Sequence, residues 1–346
     1  MSLPTCEFLI PLPALSANRL DKLLARGWFR YAQTVFRTQL QYMDGQLYTP
    51  LNIRMRVQEE ALPKKMQKLL NRNNKRFRHE IQPATFSEEK QRIYDLHKKR
   101  LSGYFPFDLR QLIHLTEDSL FDTWEVAVYE AEKLVAVSFF DVGQESIASI
   151  SGLFDPDYGS YSLGLYTMLL EIEFVKTTNR TFYYPGYVLD LPSLYDYKLK
   201  IGEVEMFDWQ TNRWKKYRKP YPFTFGEEMR EASQVIESWL KYAEISHRKT
   251  YYPYYSWAYR RDFYDHYRLL RFPIIFFLEN LKLPNIFVAY DIETHQICLG
   301  EFQLYGIFET EYQRRNTENE SQEVFELVRL LAQGNEDVPA MIAKLM

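Results

Sequence analysis

Cysteine is nearly absent from this sequence of 346 residues. The two cysteines, Cys6 and Cys298, give no disulfide framework and none of the close spacings that hold zinc or an iron–sulfur cluster. We therefore expect no metal and no other cofactor. So little cysteine is typical of a protein from a reducing compartment, and we expect the cytoplasm.

Long apolar runs and an excess of positive charge are also missing. The longest apolar run, Phe272–Leu278, is far shorter than the ~20 residues that cross a bilayer. The first residues lack a basic segment and contain Pro4, Pro11 and Pro13, which argues against a signal peptide. Because the net charge is −3, contact with nucleic acid would need a local basic patch. The sequence predicts a soluble protein with no membrane partner.

Aromatic residues, in contrast, are abundant: the chain has 27 Tyr, 24 Phe and 6 Trp. Tyrosine combines apolar area with a hydroxyl group, which suits both core packing and stacking on nucleic-acid bases. We expect most of these rings to pack against one another and some to line a polar cleft.

One stretch, Ser149–Glu173, has the pattern of a buried strand, a tight turn and a helix that is apolar on most of its surface. Asp155, Pro156 and Gly159 supply the turn chemistry. The free amides at the start of such a helix can bind an electron-rich group, although an ordinary β–turn–α corner has the same pattern.

Three strand patterns precede this helix, at 124–129, 134–141 and 146–153, and a fourth follows it at 182–187. The first three predict an antiparallel meander that leads into the helix. Pro185-Gly186 should interrupt or bulge the fourth strand. The expected fold class is mixed α/β (α+β), with a mostly antiparallel sheet flanked by helices.

A local basic patch lies within residues 54–80. Pro63 is a suitable first residue for a helix over 64–74, with Met66, Leu69 and Leu70 on its inner face. The outer face would carry Lys64, Lys65, Lys68, Arg72 and Lys75. A solvated helix face and a surface that contacts phosphates both account for this pattern.

Two segments carry a family resemblance. The pattern DPDYxxxSLGxYxxLxEIE at Asp155–Glu173 and the sequence YYPGYVLDLPSLYDYK at Tyr183–Lys198 resemble the aminoacyl-tRNA–protein transferases, the arginyl- and leucyl-transferases of the N-degron pathway. The resemblance covers roughly residues 20–215. It implies a GNAT-like acyltransferase core whose acyl donor is a charged tRNA. The chain departs from the family in lacking its N-terminal cysteine cluster, since Cys6 stands alone there.

The resemblance implies transfer of an amino acid, with arginine favoured over leucine, from aminoacyl-tRNA to the N-terminal α-amine of a protein or peptide. Two alternatives stay open: a GNAT acyltransferase that uses acyl-CoA, and a non-catalytic relic that binds tRNA or peptides. The expected organisation is an N-terminal region with the basic helix (1–85), a transferase core (86–221) and an aromatic-rich C-terminal extension of unknown role (222–346).

The resemblance also suggests roles for individual residues. Asp155 would hold the incoming α-ammonium, and Glu171 or Glu173 would act as the general base, although each carboxylate would equally suit a turn or a helix surface. Amides at 162–164 would hold the oxyanion, and Tyr187, Tyr197 and Lys198 would bind the terminal adenosine and its phosphate. The residues expected to bind substrate or tRNA are Lys64, Lys65, Lys68, Arg72, Arg100, Tyr158, Ser162, Leu163, Gly164, Tyr187, Tyr197 and Lys198.

Overall fold

A computed structural model describes residues 6–9, 14–43, 45–58, 61–99, 103–104, 106–116, 119–219, 224–255, 268–307, 314–315, 323–335 and 337–346. The chain forms two compact units. The larger unit comprises Phe8–Arg37 and Pro50–Pro220, and the smaller unit comprises Met1–Glu7, Thr38–Thr49 and Tyr221–Met346.

The strands described are, in chain order, β1 (Cys6–Leu9), β2 (Phe29–Tyr31), β3 (Thr34–Thr38), β4 (Gln41–Met43), β5 (Gln46–Tyr48), β6 (Pro50–Arg56), β7 (Arg78–Pro83), β8 (Gly103–Tyr104), β9 (Thr123–Glu130), β10 (Lys133–Val142), β11 (Ser146–Phe154), β12 (Phe182–Leu189), β13 (Glu205–Asp208), β14 (Arg213–Lys216), β15 (His247–Tyr251), β16 (Ile274–Leu278), β17 (Ile286–Asp291), β18 (Gln296–Ile307), β19 (Arg314–Arg315) and β20 (Glu323–Gln333). The α-helices are α1 (Ala17–Leu24), α2 (Lys64–Asn74), α3 (Glu88–Lys98), α4 (Leu109–Ile113), α5 (Leu163–Thr177), α6 (Phe225–Tyr242) and α7 (Asp337–Leu345). Two 3₁₀ helices span Pro156–Tyr161 and Leu194–Ile201.

The larger unit is built on an eight-stranded sheet in the order β14-β13-β6-β12-β11-β10-β9-β7. The meander expected before the long helix is confirmed as β9, β10 and β11, with antiparallel pairing throughout. Its middle strand, β10, is buried from Leu134 to Val142, which explains its continuous apolar sequence. Helix α5 follows β11 and leads into β12, so the expected acyltransferase-like order of meander, helix and strand is confirmed.

Strands β11 and β12 pair in parallel over a short length and then part. The pairing covers Ser146 with Phe182, Ile147 with Tyr183 and Ala148 with Tyr184. Beyond these pairs, β11 continues beside β10 and β12 continues beside β6. A gap therefore opens in the sheet towards the carboxyl ends of both strands.

Each of the parting strands has an irregularity beside the gap. On β11, Ser149 and Ser151 face consecutive residues of β10, so Ile150 is an extra residue. On β12 the register with β6 shifts between Tyr183 and Gly186, and Gly186 has a φ of +93°. The expected bulge at Pro185-Gly186 is thus confirmed. Bulges bend a strand away from its straight course, which accounts for the parting.

An ion pair ties the N-terminal part of the larger unit to the centre of the sheet. Arg30 of β2 contacts Asp141 of β10 at 2.5 Å, and both side chains are almost completely buried. The Arg30 guanidinium also donates to the Thr123 hydroxyl at 2.8 Å and to the carbonyls of Ala32 and Ile113. Such a pair is stable only while both charges are present.

The smaller unit has a five-stranded sheet in the order β15-β16-β17-β18-β20, with antiparallel pairings. Buried residues of its core include Met229 of α6, Phe276 of β16, Phe287 of β17 and Ile342 of α7. Leu47 of β5 belongs to the same core.

The two units divide the chain differently from the expected organisation. The expected organisation places strands β6 and β7 in a separate N-terminal region, but they pair with β12 and β9 of the core sheet. Residues 38–49 group with the C-terminal part, because the Thr49 hydroxyl caps the Gly226 amide and the Leu40 carbonyl accepts from Tyr255. These pairings are long-range and leave no mark in the local sequence. No described helix is long and apolar enough to cross a membrane, and the cytoplasmic location stays a prediction.

We predict that Asp141→Ala lowers the free energy of unfolding by about 3–5 kcal/mol, because it leaves the Arg30 guanidinium buried without a counter-charge. Denaturant unfolding followed by circular dichroism measures the loss. Asp95→Ala is the matched control, since it removes the Lys98–Asp95 contact, in which Asp95 is exposed; its cost should stay below about 1 kcal/mol. Equal costs for the two variants would contradict the role given to Arg30 and Asp141.

Candidate active site where β11 and β12 part

A buried carboxyl group lies beneath the point of parting. Glu171 projects from α5 and is fully buried. Its Oε2 accepts a 2.7 Å hydrogen bond from the Tyr183 hydroxyl of β12, and the hydroxyls of Ser138 and Ser149 lie beside the carboxyl group. Among the described residues, its Oε1 has no hydrogen-bond partner. Because Tyr183 belongs to the short parallel pairing and Ser149 directly follows that pairing on β11, the carboxyl group sits at the apex of the gap.

The surroundings of Glu171 make it easier to protonate. Burial raises the pKa of its carboxyl group to about 7, against the smaller, opposing effect of the nearby hydroxyls. Burial and the nearby charge of Glu171 raise the pKa of Tyr197 to about 12. The carboxyl group can therefore exchange a proton near neutral pH, whereas Tyr197 keeps its proton.

Aromatic rings and one ammonium group lie on the β12 side of the gap. The ring of Tyr187 packs against Phe29 and Tyr195, with centroids 5.1 and 5.4 Å apart. Lys198, from the second 3₁₀ helix, donates to the Tyr187 carbonyl at 3.2 Å and lies over the rings of Tyr187 and Tyr195. Burial lowers the pKa of the Lys198 ammonium to about 8. Tyr187 and Lys198 are thus in contact and Tyr197 lies near Glu171, and the roles expected of all three residues stay predictions.

Asp155 lies at the end of β11, where the side chain caps the first 3₁₀ helix. Its Oδ1 accepts from the Asp157 amide at 3.2 Å, and its Oδ2 contacts Lys133 at 3.2 Å and Arg92 at 3.4 Å. Burial acts to raise the pKa of this carboxyl group, but the Asp157 amide, Lys133 and Arg92 outweigh it and hold the pKa below its usual range. The Asp155 carboxylate already contacts two cations and caps the first 3₁₀ helix. Its expected role in binding an ammonium group stays a prediction.

The turn before α5 supplies fewer donors than expected. Ser162 has left-handed backbone angles, and its amide donates to the Gly159 carbonyl at 3.2 Å. Of the three amides expected to hold an oxyanion, those of Leu163 and Gly164 remain in the first turn of α5, where amides have no partner within the helix. Tyr158 is half-buried, and its hydroxyl donates to Glu130 at 2.7 Å.

Glu173 does not join Glu171. The two glutamates are two residues apart on α5, so their side chains point to different sides of the helix. The Glu173 side chain is 42% exposed and lies 3.2 Å from Lys176. It has the geometry of an ion-paired surface carboxylate, which is the alternative to a general base that the sequence left open.

The amphipathic helix expected over 64–74 is confirmed as α2. Met66, Leu70 and Asn73 are buried, and the expected basic residues on the outer face are exposed: Lys64, Lys65, Lys68 and Arg72. Asn73 donates to the Tyr161 carbonyl at 2.9 Å, and Asn74 accepts from the Tyr166 hydroxyl at 2.7 Å. These two bonds hold the basic face next to the start of α5. Arg100 lies outside the described residues.

Three residues of the site were missed by sequence reasoning. Ser138, Ser149 and Tyr183 surround Glu171, yet each belongs to a different strand. A signal was present for Ser138, because a lone hydroxyl inside the apolar run VAVSFF needs a buried partner. Across the described residues, no group of three or more His, Cys, Asp or Glu could hold a metal, and Cys6 and Cys298 are buried and form no disulfide.

The fold and this site together define a mixed α/β core with a buried carboxyl group at the parting of two parallel strands. Comparison with known proteins shows which proteins this core resembles. Residues 68–208 match the family model described as arginine-tRNA-protein transferase, C terminus. That range includes most of α2, Asp155, Glu171 and Lys198.

Curated relatives agree with this match. The chain is 26% identical over 185 residues to an aspartate/glutamate leucyltransferase from Campylobacter jejuni, covering 51% of this chain and 75% of the relative. It is also 26% identical to enzymes of the same name from Vibrio campbellii (52% and 76% covered) and Acinetobacter baumannii (58% and 73% covered). Both comparisons support the aminoacyl-tRNA–protein transferase family, and the expected resemblance is confirmed.

Solved structures are more distant. L-PGS from Bacillus licheniformis matches with 12% identity and a TM-score of 0.34, over 43% of this chain and 47% of that chain. A glucosamine N-acetyltransferase region of a fungal β-N-acetylglucosaminidase matches with 13% identity and a TM-score of 0.33, over 58% of this chain and 22% of that chain. At these TM-scores neither match bears on the site.

We predict that Glu171→Gln removes a pH dependence of stability. Because the pKa of Glu171 rises from 4.5 to about 7 on folding, the folded protein binds more protons than the unfolded chain between these values. As the pH rises from about 4.5 to above 7, the free energy of unfolding of the wild type should therefore fall by about 3 kcal/mol relative to that of the variant. Denaturant unfolding of both proteins across this range measures the difference.

The matched control is Glu173→Gln, whose side chain lies on the helix surface beside Lys176. It should show no comparable change with pH. If the free energies of unfolding of the wild type and Glu171→Gln differ by the same amount at every pH, Glu171 does not titrate in the folded protein.

Proposed function

We propose that this chain transfers an amino acid from aminoacyl-tRNA to the N-terminal α-amine of a protein or peptide. The observation that carries the proposal is the buried Glu171 carboxyl group, with a pKa of about 7, at the apex of the gap between β11 and β12. The similarity to known proteins suggests the donor and the acceptor, since the family model and the curated relatives are named for such transfers.

The chemistry needs one proton moved at the acceptor. The α-ammonium of the acceptor must lose a proton before its nitrogen attacks the ester carbonyl of the charged tRNA. We assign this proton to Oε1 of Glu171, which has no hydrogen-bond partner among the described residues, while the Tyr183 hydroxyl keeps the carboxyl group oriented. A well-placed base of matched pKa contributes about 10²–10⁴-fold to the rate.

The remaining steps rest on positioning. The attack forms a C–N bond and a tetrahedral oxyanion, for which the Leu163 and Gly164 amides are the proposed donors. The C–O bond to the ribose then breaks, and the released ribose oxygen takes up the second proton that the attacking nitrogen loses as the amide forms. Tyr187 and Tyr195 offer rings on which the terminal adenine can stack. Because the donor ester is already activated, orientation supplies much of the remaining acceleration.

The basic face of α2 is proposed to hold the tRNA backbone. Lys64, Lys65, Lys68 and Arg72 are exposed in a protein of net charge −3. Asn73 and Asn74 fix this face beside the turn that begins α5. A phosphate backbone bound there would lead its 3′ end towards the site.

The acyl-CoA alternative is less well supported. The turn before α5, where an acyl-CoA enzyme would cradle a pyrophosphate, is crowded by Tyr158 and Tyr161, which pack against Phe77 with centroids 6.2 and 5.3 Å away. One of its amides, that of Ser162, is already bonded. A pyrophosphate needs several free amides at close range.

Two amino acids are the candidates for transfer. The name of the family model favours arginine, and the names of the curated relatives favour leucine with aspartate or glutamate as the acceptor residue. We expect the protein to label peptides that begin with Asp or Glu from tRNA charged with one of these two amino acids. Scintillation counting of peptides, after incubation with tRNA charged separately with each labelled amino acid, measures the transfer.

Peptides with an acetylated N-terminus are the control, because they lack the attacking amine. Labelled acetyl-CoA serves as the competing donor. Label transferred from acetyl-CoA, with none from either tRNA, would replace the proposed function by the acyl-CoA alternative.

We predict that reversing Lys64, Lys65 and Lys68 to Glu weakens tRNA binding whatever the tRNA sequence. The slope of log K against log salt should become shallower by about one unit for each phosphate that the variant no longer binds. Filter binding at several salt concentrations measures both effects. The charge-matched control reverses three exposed lysines of the smaller unit, Lys241, Lys282 and Lys344. Equal losses of affinity in both variants would reduce the effect to net charge and return α2 to a solvated face.

A further inference from the structure

Lys198 has no charged partner among the described residues, although it is half-buried. One of its three N–H groups donates to the Tyr187 carbonyl at 3.2 Å. The Tyr187 and Tyr195 rings lie beneath the ammonium, 5.3 and 5.0 Å from it. Two N–H groups therefore remain available to an anion.

Other basic side chains near the parting strands are already paired. Arg30 contacts Asp141, Arg54 contacts Glu205, and Lys133 contacts Asp155. Removing an ammonium from water without a counter-charge is unfavourable, and the lowered pKa of Lys198 reflects that desolvation. An anionic group that entered the gap would recover part of this energy. The arrangement is that of a binding site for an anion.

Gly186 of β12 lies directly beside this ammonium. A Cβ atom at Gly186 would lie 3.2 Å from the Lys198 Nζ, so a side chain at this position would crowd the ammonium. The preceding residue, Tyr197, lies close enough to Glu171 to be affected by its charge. The second 3₁₀ helix thus carries both Lys198 and Tyr197, the residue that lies near Glu171.

We propose that Lys198 binds the side-chain carboxylate of the acceptor's first residue and thereby selects aspartate and glutamate at the N-terminus. This inference rests on the proposed function. An acidic first residue carries an α-ammonium and a carboxylate a few bonds apart, and the site offers a carboxyl group, Glu171, and an ammonium, Lys198. The charges are complementary. Lys198 acts here as a specificity-determining residue, since the proton transfer belongs to Glu171.

A phosphate of the donor tRNA is the other anion that Lys198 could meet. The exposed face of α2 offers four basic side chains for phosphates, whereas Lys198 is a single half-buried ammonium between two rings. Phosphate backbones are bound mainly by such exposed basic surfaces. We therefore assign Lys198 to the acceptor and let the experiment separate the two anions.

The test compares peptides that begin with Asp or with its neutral isostere Asn, with free N-termini and no tRNA present. Calorimetric titration of the wild type should show about 10–100-fold tighter binding of the Asp peptide, the gain of a charge-assisted hydrogen bond. Lys198→Met, which keeps the apolar stem, should bind both peptides equally. Lys200→Met removes an exposed lysine two residues away and should keep the preference. Melting temperatures confirm that both variants are folded.

Equal binding of the two peptides by the wild type, or a preference that survives in Lys198→Met, would overturn the proposal. If Lys198→Met instead weakens binding of an oligonucleotide ending in CCA and leaves the Asp preference intact, Lys198 belongs to the donor site and the proposal fails.

Transfer kinetics separate this inference from the proposed function. With charged tRNA, Lys198→Met should raise KM for the Asp peptide by about 10–100-fold and leave kcat nearly unchanged, because the base is retained. A wild type that binds the Asp peptide selectively but transfers nothing would contradict the proposed function and leave the carboxylate site standing. Transfer to Asp and Asn peptides with equal KM would sustain the function and overturn the role of Lys198.

Discussion

The burial of one carboxyl group at the parting of β11 and β12 is the constraint on which the site depends. Buried between α5 and the sheet at the apex of the gap, Glu171 is difficult to ionise, and its pKa rises to about 7. In water the same group would be ionised at neutral pH and would be a weak base. The placement is accompanied by bulges in both strands, at Ile150 and near Gly186.

Other parts of the larger unit hold this arrangement in place. The Arg30–Asp141 pair fixes β2 against β10, and Phe29 of the same strand packs on Tyr187 beside the gap. On the other side, Asn73 and Asn74 fasten α2 to the turn and to α5. Helix α2, Glu171 and the Tyr187 ring thus belong to one sheet and its flanking helices.

Local patterns predicted the meander, the two faces of α2 and the bulge at Pro185-Gly186, because periodicity and turn residues specify them directly. The sequence also brought Glu171 and Glu173 forward together. It could not separate them, since α5 is apolar nearly all round and offers no polar face to orient them. Ser138 and Tyr183, which complete the site, come from strands far apart in sequence. The grouping of residues 38–49 with the C-terminal part depends on contacts such as Thr49 with Gly226 and was equally invisible.

The most direct test of Glu171 as the base is the pH dependence of transfer in single turnovers, measured for the wild type and for Glu171→Gln with one acceptor peptide. The ionisation of the peptide amine affects both proteins and cancels in the ratio of their rates. We predict that the ratio of the wild-type rate to the variant rate rises with pH, levels off above about pH 7 and reaches about 10²-fold or more. A ratio that is the same at every pH, or close to one throughout, would contradict it.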